Sequence, residues 1–320
     1  MENKPNPIII KNFTTECGAL YPVVHLSYQV FGPALNTAPV IVVNHALTGN
    51  SQVIGENGWW NDLIGENKTI DTHKYSILAF NVPGNGYDGS IIENYADFTA
   101  RDIARLFIEG INYLNVQQLY AIIGGSVGGG IAWEMIALKP KLALHVIPIA
   151  TDWKSTDWLI ANCFLQEQIL KNSSNPIQDA RVHAMLCYRT PESFKLKFDR
   201  TINEELAIFN IESWLLHHGK KLQKRFQLAS YKMMNQLLKT IDITRNSDSF
   251  EVFASKIEAT IHIIGINSDL FFTAKENKET YQELKKHNVK VFYKEIESIH
   301  GHDAFLIEFE QLNNLLAPIF

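Results

Sequence analysis

Cysteine is scarce in this 320-residue chain: Cys17, Cys163 and Cys187 are odd in number and widely scattered. They form neither a disulfide framework nor a metal-ligand spacing, which points to a reducing compartment and to no metal site. An excess of basic residues is missing too. Lys and Arg total 29 against 34 Asp and Glu, a formal net charge of −5, so no broad nucleic-acid surface is expected. No apolar run is long enough to span a bilayer. The opening Met1-Glu2-Asn3-Lys4-Pro5 lacks the basic and apolar regions of a secretory signal. Internal repeats, low-complexity tracts and a Walker-type phosphate loop are absent. The composition, 46% hydrophobic and 20% charged, is that of an ordinary soluble globular protein, expected in the cytoplasm. Its length suffices for one large domain or a domain with an insertion.

What is present is a rhythm of short apolar strands. Val23–Phe31, Val40–Asn44, Tyr75–Phe80, Leu119–Ile123 and Leu144–Ile149 read as strands, with Ile103, Leu106, Phe107 and Ile111 at helical spacing between them. Alternation of this kind predicts an α/β fold, a mainly parallel sheet covered by helices on both faces. From about Lys154 to Arg245 the strand signal disappears and Leu, Lys, Gln and Phe recur at helical spacing. The sheet pattern resumes at 259–264 and Lys290–Tyr293, and a helix from about Ala304 closes the chain. The expected organisation is a core domain of residues 1–153 and 246–320 with a helical lid inserted at 154–245.

The chemical signal is concentrated in Gly124-Gly125-Ser126-Val127-Gly128-Gly129. An apolar strand leads in and the helix-forming run Ile131–Ala137 leads out. Strand, G-x-S-x-G, helix is the sequence form of a nucleophile elbow, in which small neighbours let a serine sit on a sharp turn. A serine nucleophile needs a base, and the base needs a carboxylate to orient it. In an α/β-hydrolase these follow in the order Ser, Asp or Glu, His, each past a strand end. Asp269 follows the strand at 261–264, and Ser298-Ile299-His300-Gly301-His302-Asp303 follows the next one. Alone, Asp269 would read as a helix cap or turn residue; behind an elbow it reads as the orienting acid. His300 and His302 compete for the base, and His302 is preferred as nearer the helix that follows. The remaining histidines, the His217-His218 pair included, show no ligand spacing and are expected on surfaces. For the oxyanion, the N–H of Val127 follows the nucleophile, and the N–H of Leu47 lies in the loop Asn44-His45-Ala46-Leu47-Thr48-Gly49 after an earlier strand. On chemistry alone an ordinary strand–loop turn explains that loop equally well.

These segments together resemble the α/β-hydrolase-type homoserine O-acetyltransferase family. Asn44–Gly49, Gly124–Gly129, Asn267-Ser268-Asp269-Leu270-Phe271 and His300-Gly301-His302-Asp303-Ala304-Phe305-Leu306 occur in the family's order and span nearly the whole chain. Ala180-Arg181-Val182-His183 through Tyr188-Arg189 is similar to its lid helix. The resemblance implies an α/β-hydrolase fold, Ser126, Asp269 and His302 as the triad, and Leu47 and Val127 as oxyanion donors. It implies Arg181 on the carboxylate and Asp303 on the α-ammonium of the acceptor, with Arg189 the alternative to Arg181. It also implies acetyl transfer from acetyl-CoA, a co-substrate rather than a tightly bound cofactor, to L-homoserine in methionine biosynthesis. Succinyl-CoA or L-serine as substrates, or hydrolysis by an esterase or thioesterase, are the alternatives. A homodimer through the lid is implied as well, with Trp214, Leu215, Leu216, Phe226 and Leu228 as apolar surface; packing within the lid explains the same residues. The chain departs from the family in a shorter lid between Asp157 and Arg181, in Val127 and Gly130 where methionines are usual, and in Phe272-Thr273 for Phe-Pro.

Overall fold

Alternate residues of each central strand enter different cores. Val40 and Val42 pack with Leu119 and Ile122 on one face, while Ile41 and Val43 pack with Ala121 and Ile123 on the other. Each such Val or Ile contributes about 1.5–3 kcal/mol when buried, so both faces of the sheet help hold the fold together. The computed structural model describes residues 4–245 and 249–320. Met1, Glu2 and Asn3 of the signal-peptide reading, and Asn246 at the expected domain boundary, lie outside the described residues.

The sheet has eight strands: β1 (Asn6–Thr14), β2 (Leu20–Phe31), β3 (Val40–Asn44), β4 (Ser76–Asn81), β5 (Leu119–Gly125), β6 (Ala143–Ile149), β7 (Thr260–Ile266) and β8 (Val291–Ile296). Their spatial order is β1-β2-β4-β3-β5-β6-β7-β8. β2 runs antiparallel to β1 and β4, and the others run parallel. The hairpin partner β1 escapes the sequence reading because its buried positions, Ile8, Ile10 and Phe13, alternate with exposed ones. It is an edge strand with only one apolar side.

Helix α1 (Ala100–Tyr113) starts at Thr99, whose hydroxyl accepts from Asp102 N while the Asp102 carboxylate accepts from Thr99 N. Its predicted face, Ile103, Leu106, Phe107 and Ile111, is buried. Helix α2 (Val127–Leu138) is buried on every side from Val127 to Ile136, as its apolar composition requires. Among the described residues, six helices lie between β6 and β7: α3 (Asp157–Asn172), α4 (Pro176–Tyr188), α5 (Pro191–Phe198), α6 (Asn210–Gln223), α7 (Leu228–Lys239) and α8 (Phe250–Ala254). The chain leaves and rejoins the sheet layer at one place: Ser155 N donates to Ile241 O at 2.9 Å and Ile243 N to Trp153 O at 3.3 Å. Buried Glu134 on α2 holds the returning segment, bonding Arg101 Nε at 2.9 Å, Arg245 Nη2 at 3.4 Å and Asp242 N at 3.0 Å. Within these helices Phe226 is buried against Tyr231, so it offers no surface, whereas Leu216 is exposed.

After α8 (Phe250–Ala254) and α9 (Ala274–Lys286), the closing helix begins later than the sequence suggests. Gly301–Leu306 forms a 3₁₀ turn and α10 spans Phe309–Leu316. The turn opens on Gly301 at φ +65°, with Tyr188 O too close to admit a Cβ. Among the described residues, no helix is long and apolar enough to cross a membrane.

Candidate active site

Ser126 joins β5 to α2 at φ 56°, ψ −129°, a conformation that costs a non-glycine residue about 1–3 kcal/mol. The surroundings hold it there. Ser126 N donates to Ile149 O at 2.9 Å, and Ser126 O accepts from Gly129 N and Gly130 N as α2 begins. The flanking glycines serve close approach rather than unusual backbone angles. A Cβ on Gly128 would overlap Asn44 O, and one on Gly124 would overlap the Gly128 carbonyl carbon.

The three residues expected to act together do meet. His302 Nε2 lies 2.9 Å from Ser126 Oγ, and His302 Nδ1 lies 2.7 Å from Asp269 Oδ2. With the carboxylate accepting from Nδ1–H, Nε2 is left as acceptor for the serine hydroxyl. Asp269 Oδ1 accepts from Phe271 N at 2.7 Å and Phe272 N at 3.0 Å, which fixes the carboxylate plane. All three are withdrawn from water, at 6%, 4% and 3% exposure for Ser126, Asp269 and His302. The imidazole is ringed by Phe271, Tyr188, Phe272 and Phe305, with centroids 5.2–5.8 Å away. Such an arrangement can deprotonate Ser126 and stabilise the imidazolium that results. His300 faces elsewhere: its Nδ1 lies 2.9 Å from Ser193 Oγ, on α5.

Val127 opens α2, and the first N–H groups of a helix have no intrahelical acceptor. Leu47 lies in the loop after β3, buried, and its N–H donates to no described residue. That loop rests on the elbow: Asn44 Nδ2 donates to Gly128 O at 3.1 Å. Of the two donors expected for an oxyanion, Val127 therefore opens the helix that follows Ser126, and Leu47 lies in a loop that packs against that helix.

The charged residues are arranged less simply. Arg189 Nε donates to Asp303 Oδ2 at 3.0 Å, and among the described residues Asp303 Oδ1 has no partner. Arg181 makes no ion pair with a described residue; its guanidinium sits 5.7 Å from the centre of the Tyr188 ring, which itself touches His302. His218 is half-buried rather than on the surface, 4.2 Å from Trp214, and burial, then Arg181, push it down to about 4. His45, also expected outside, is buried at 1% exposure. Arg225, which no motif signalled, donates to Thr48 O at 2.8 Å in the loop that follows β3. Tyr188 was legible only as a member of the lid segment, yet its ring lies between Arg181 and His302. Among the described residues, no group of three or more His, Cys, Asp or Glu is placed to hold a metal ion.

The alpha/beta hydrolase fold profile matches residues 39–175. A homoserine O-acetyltransferase from Cyclobacterium marinum is 33% identical over 331 residues, covering 95% of this chain and 92% of that protein. Among solved structures, a homoserine O-acetyltransferase from Bacillus anthracis has TM-score 0.89 at 20% identity, over 99% of this chain and 97% of that one. Esterase E22 has TM-score 0.87 at 18% identity, over 99% of both chains. The structural likenesses establish the α/β-hydrolase fold, which carries transferase and esterase alike, so the closer sequence relationship decides the family. Its coverage of nearly all of both proteins shows that this chain belongs to the homoserine O-acetyltransferase family, acyltransferase enzymes on the α/β-hydrolase fold.

Proposed function

We propose that this enzyme moves an acetyl group from acetyl-CoA to the hydroxyl of L-homoserine, in methionine biosynthesis, through an acyl-Ser126 intermediate. The observation that carries the reading is the continuous hydrogen-bonded chain Ser126–His302–Asp269 at 2.9 and 2.7 Å. His302 Nε2 takes the Ser126 proton as Oγ attacks the thioester carbonyl. The oxyanion that forms is met by the N–H groups of Leu47 and Val127, each worth about 10²–10³ in rate. Collapse breaks the C–S bond, and the CoA thiolate takes the proton from His302. The acceptor hydroxyl then gives its proton to His302 and attacks the acyl carbonyl. A second collapse releases O-acetylhomoserine and returns the proton to Ser126.

Recognition of the amino acid falls to two charges. Arg181, free of a carboxylate partner among the described residues, suits the acceptor's carboxylate. Asp303 Oδ1 suits its ammonium while Arg189 holds Oδ2. Residues 154–245 would act as a lid over a core of 1–153 and 246–320, keeping water from the acyl-enzyme. Exposed Trp158, Phe164 and Leu165 on α3 support a homodimer formed through that lid.

Hydrolysis is the second reading, favoured by the likeness to esterase E22. Serine in place of homoserine differs by one methylene, worth only ~1–3 kcal/mol. Product analysis separates these. Incubation with acetyl-CoA is expected to yield O-acetylhomoserine only when homoserine is supplied; free acetate released at the same rate with or without it would assign an esterase. Loss of activity with acetyl-CoA but not with succinyl-CoA would move the donor.

A further inference from the structure

His45 is placed to do more than fill space. It is buried at 1% exposure, and burial pushes its pKa down to about 4, so the ring carries a single proton near neutrality. Which nitrogen holds that proton follows from the partners. Nε2 lies 3.0 Å from the N–H of Val82, just past β4, and 3.3 Å from Asn85 Nδ2. Facing a backbone donor, Nε2 is the acceptor. Nδ1 therefore bears the proton, and it lies 2.8 Å from the carbonyl oxygen of Ala46.

That carbonyl belongs to the same peptide unit as the N–H of Leu47. A trans peptide is planar, and its C=O and N–H point in opposite directions; fixing one end aims the other. Gly49 N grips the same oxygen at 2.9 Å. The Leu47 N–H, at the far end of this clamped plane, is buried and donates to no described residue, although more than nine in ten buried backbone N–H groups find a partner. An unpaired donor in a doubly anchored peptide is the form that a preorganised oxyanion site takes.

We infer that His45 is a positioning residue: by holding Ala46 O from Nδ1–H while Nε2 is seated on Val82 N–H, it aims the Leu47 amide at the developing oxyanion. The inference rests on the acyl-Ser126 reading, in which Leu47 is a donor. His45 touches neither substrate nor reacting atoms.

The two ring nitrogens can be tested separately. In His45→Asn the side-chain amide keeps a donor near the Nδ1 position and loses the acceptor for Val82. In His45→Gln the side-chain oxygen reaches the Nε2 position and keeps the Val82 acceptor, while the donor to Ala46 O is lost. The readouts are the single-turnover rate of CoA release from acetyl-CoA, the KM for acetyl-CoA and the melting temperature. His45→Gln is expected to slow acylation by about 10²-fold with KM changed by no more than about 2-fold. His45→Asn should recover most of that rate even if it melts lower. If the two variants lose rate together, in step with their melting temperatures, or if neither loses rate, the positioning role is overturned. The parent reading fails differently: wild-type protein would then release CoA no faster than Ser126→Ala.

Discussion

Arg189 spans from the end of α4 to Asp303, the neighbour of His302, with Nε 3.0 Å from Oδ2. The pair ties the end of α4 to the turn that carries His302, and Thr190 Oγ1 adds a second tie by donating to Ile299 O. A carboxylate so held presents its free oxygen in a defined direction. Charge-assisted hydrogen bonds contribute about 1.5–3 kcal/mol. Arg189→Met is therefore expected to lower kcat/KM for homoserine roughly 10–100-fold while leaving the first-turnover release of CoA nearly unchanged. Steady-state and burst kinetics measured on one preparation check this; equal loss in both phases would contradict it.

Arg181 should govern acceptors by their carboxylate alone. Arg181→Ala is expected to reduce kcat/KM for L-homoserine by about 10²-fold, from the loss of a charge-assisted contact. Homoserine methyl ester, which lacks the charge, should be used about equally by both proteins. If the ester suffers the same loss as the free acid, Arg181 acts on the fold and not on the carboxylate.

The elbow tolerates no added methyl group where helix meets loop. Gly128→Ala would press a Cβ into Asn44 O, so it should destabilise the protein by about 1–3 kcal/mol and displace the loop that carries Leu47. Urea denaturation and labelling of Ser126 by an organophosphonate report the two effects. Wild-type stability together with wild-type labelling would refute the packing argument.

Acid should weaken the fold through His45. Its folded pKa is about 4, lowered by burial from 6.5, so the unfolded chain binds the proton first as pH falls. The stability that its neutral form contributes is present above 6.5 and is lost toward pH 4, at about 1.4 kcal/mol per unit. Asp152 works in the opposite sense: burial raises it to about 6, so below that pH the folded state takes up its proton first. Comparing wild type with His45→Asn cancels Asp152. Between pH 6.5 and 5 the stability of wild type relative to the variant should fall by about 2 kcal/mol; an unchanged difference would contradict the assignment.

The elements that face the chemistry were legible because each leaves a local mark. Ser126 sits in a glycine-framed turn, and Asp269 and His302 follow apolar strands, so order along the chain foretells convergence at one sheet edge. Distance in space was not legible. Nothing in the spacing of Arg189 and Asp303, 114 residues apart, announces their ion pair, and Arg225 reaches Thr48 across 177 residues. Burial misled where a ring is taken inside: His45, held by hydrogen bonds, and His218, packed against Trp214, read as surface residues because histidine usually is one. The turn at Gly301 escapes a sequence reading for a related reason, since the close approach of Tyr188 O there leaves no mark in local periodicity.

In the proposed reaction an acyl group pauses on Ser126 before passing to an amino acid. Protein mixed with acetyl-CoA and quenched without acceptor can be examined by intact mass and peptide mapping, then chased with L-homoserine. One added acetyl group is expected on the peptide containing Ser126, absent in Ser126→Ala and discharged far faster by homoserine than by water. No acetyl on that peptide, or discharge at the same rate by water alone, would contradict it.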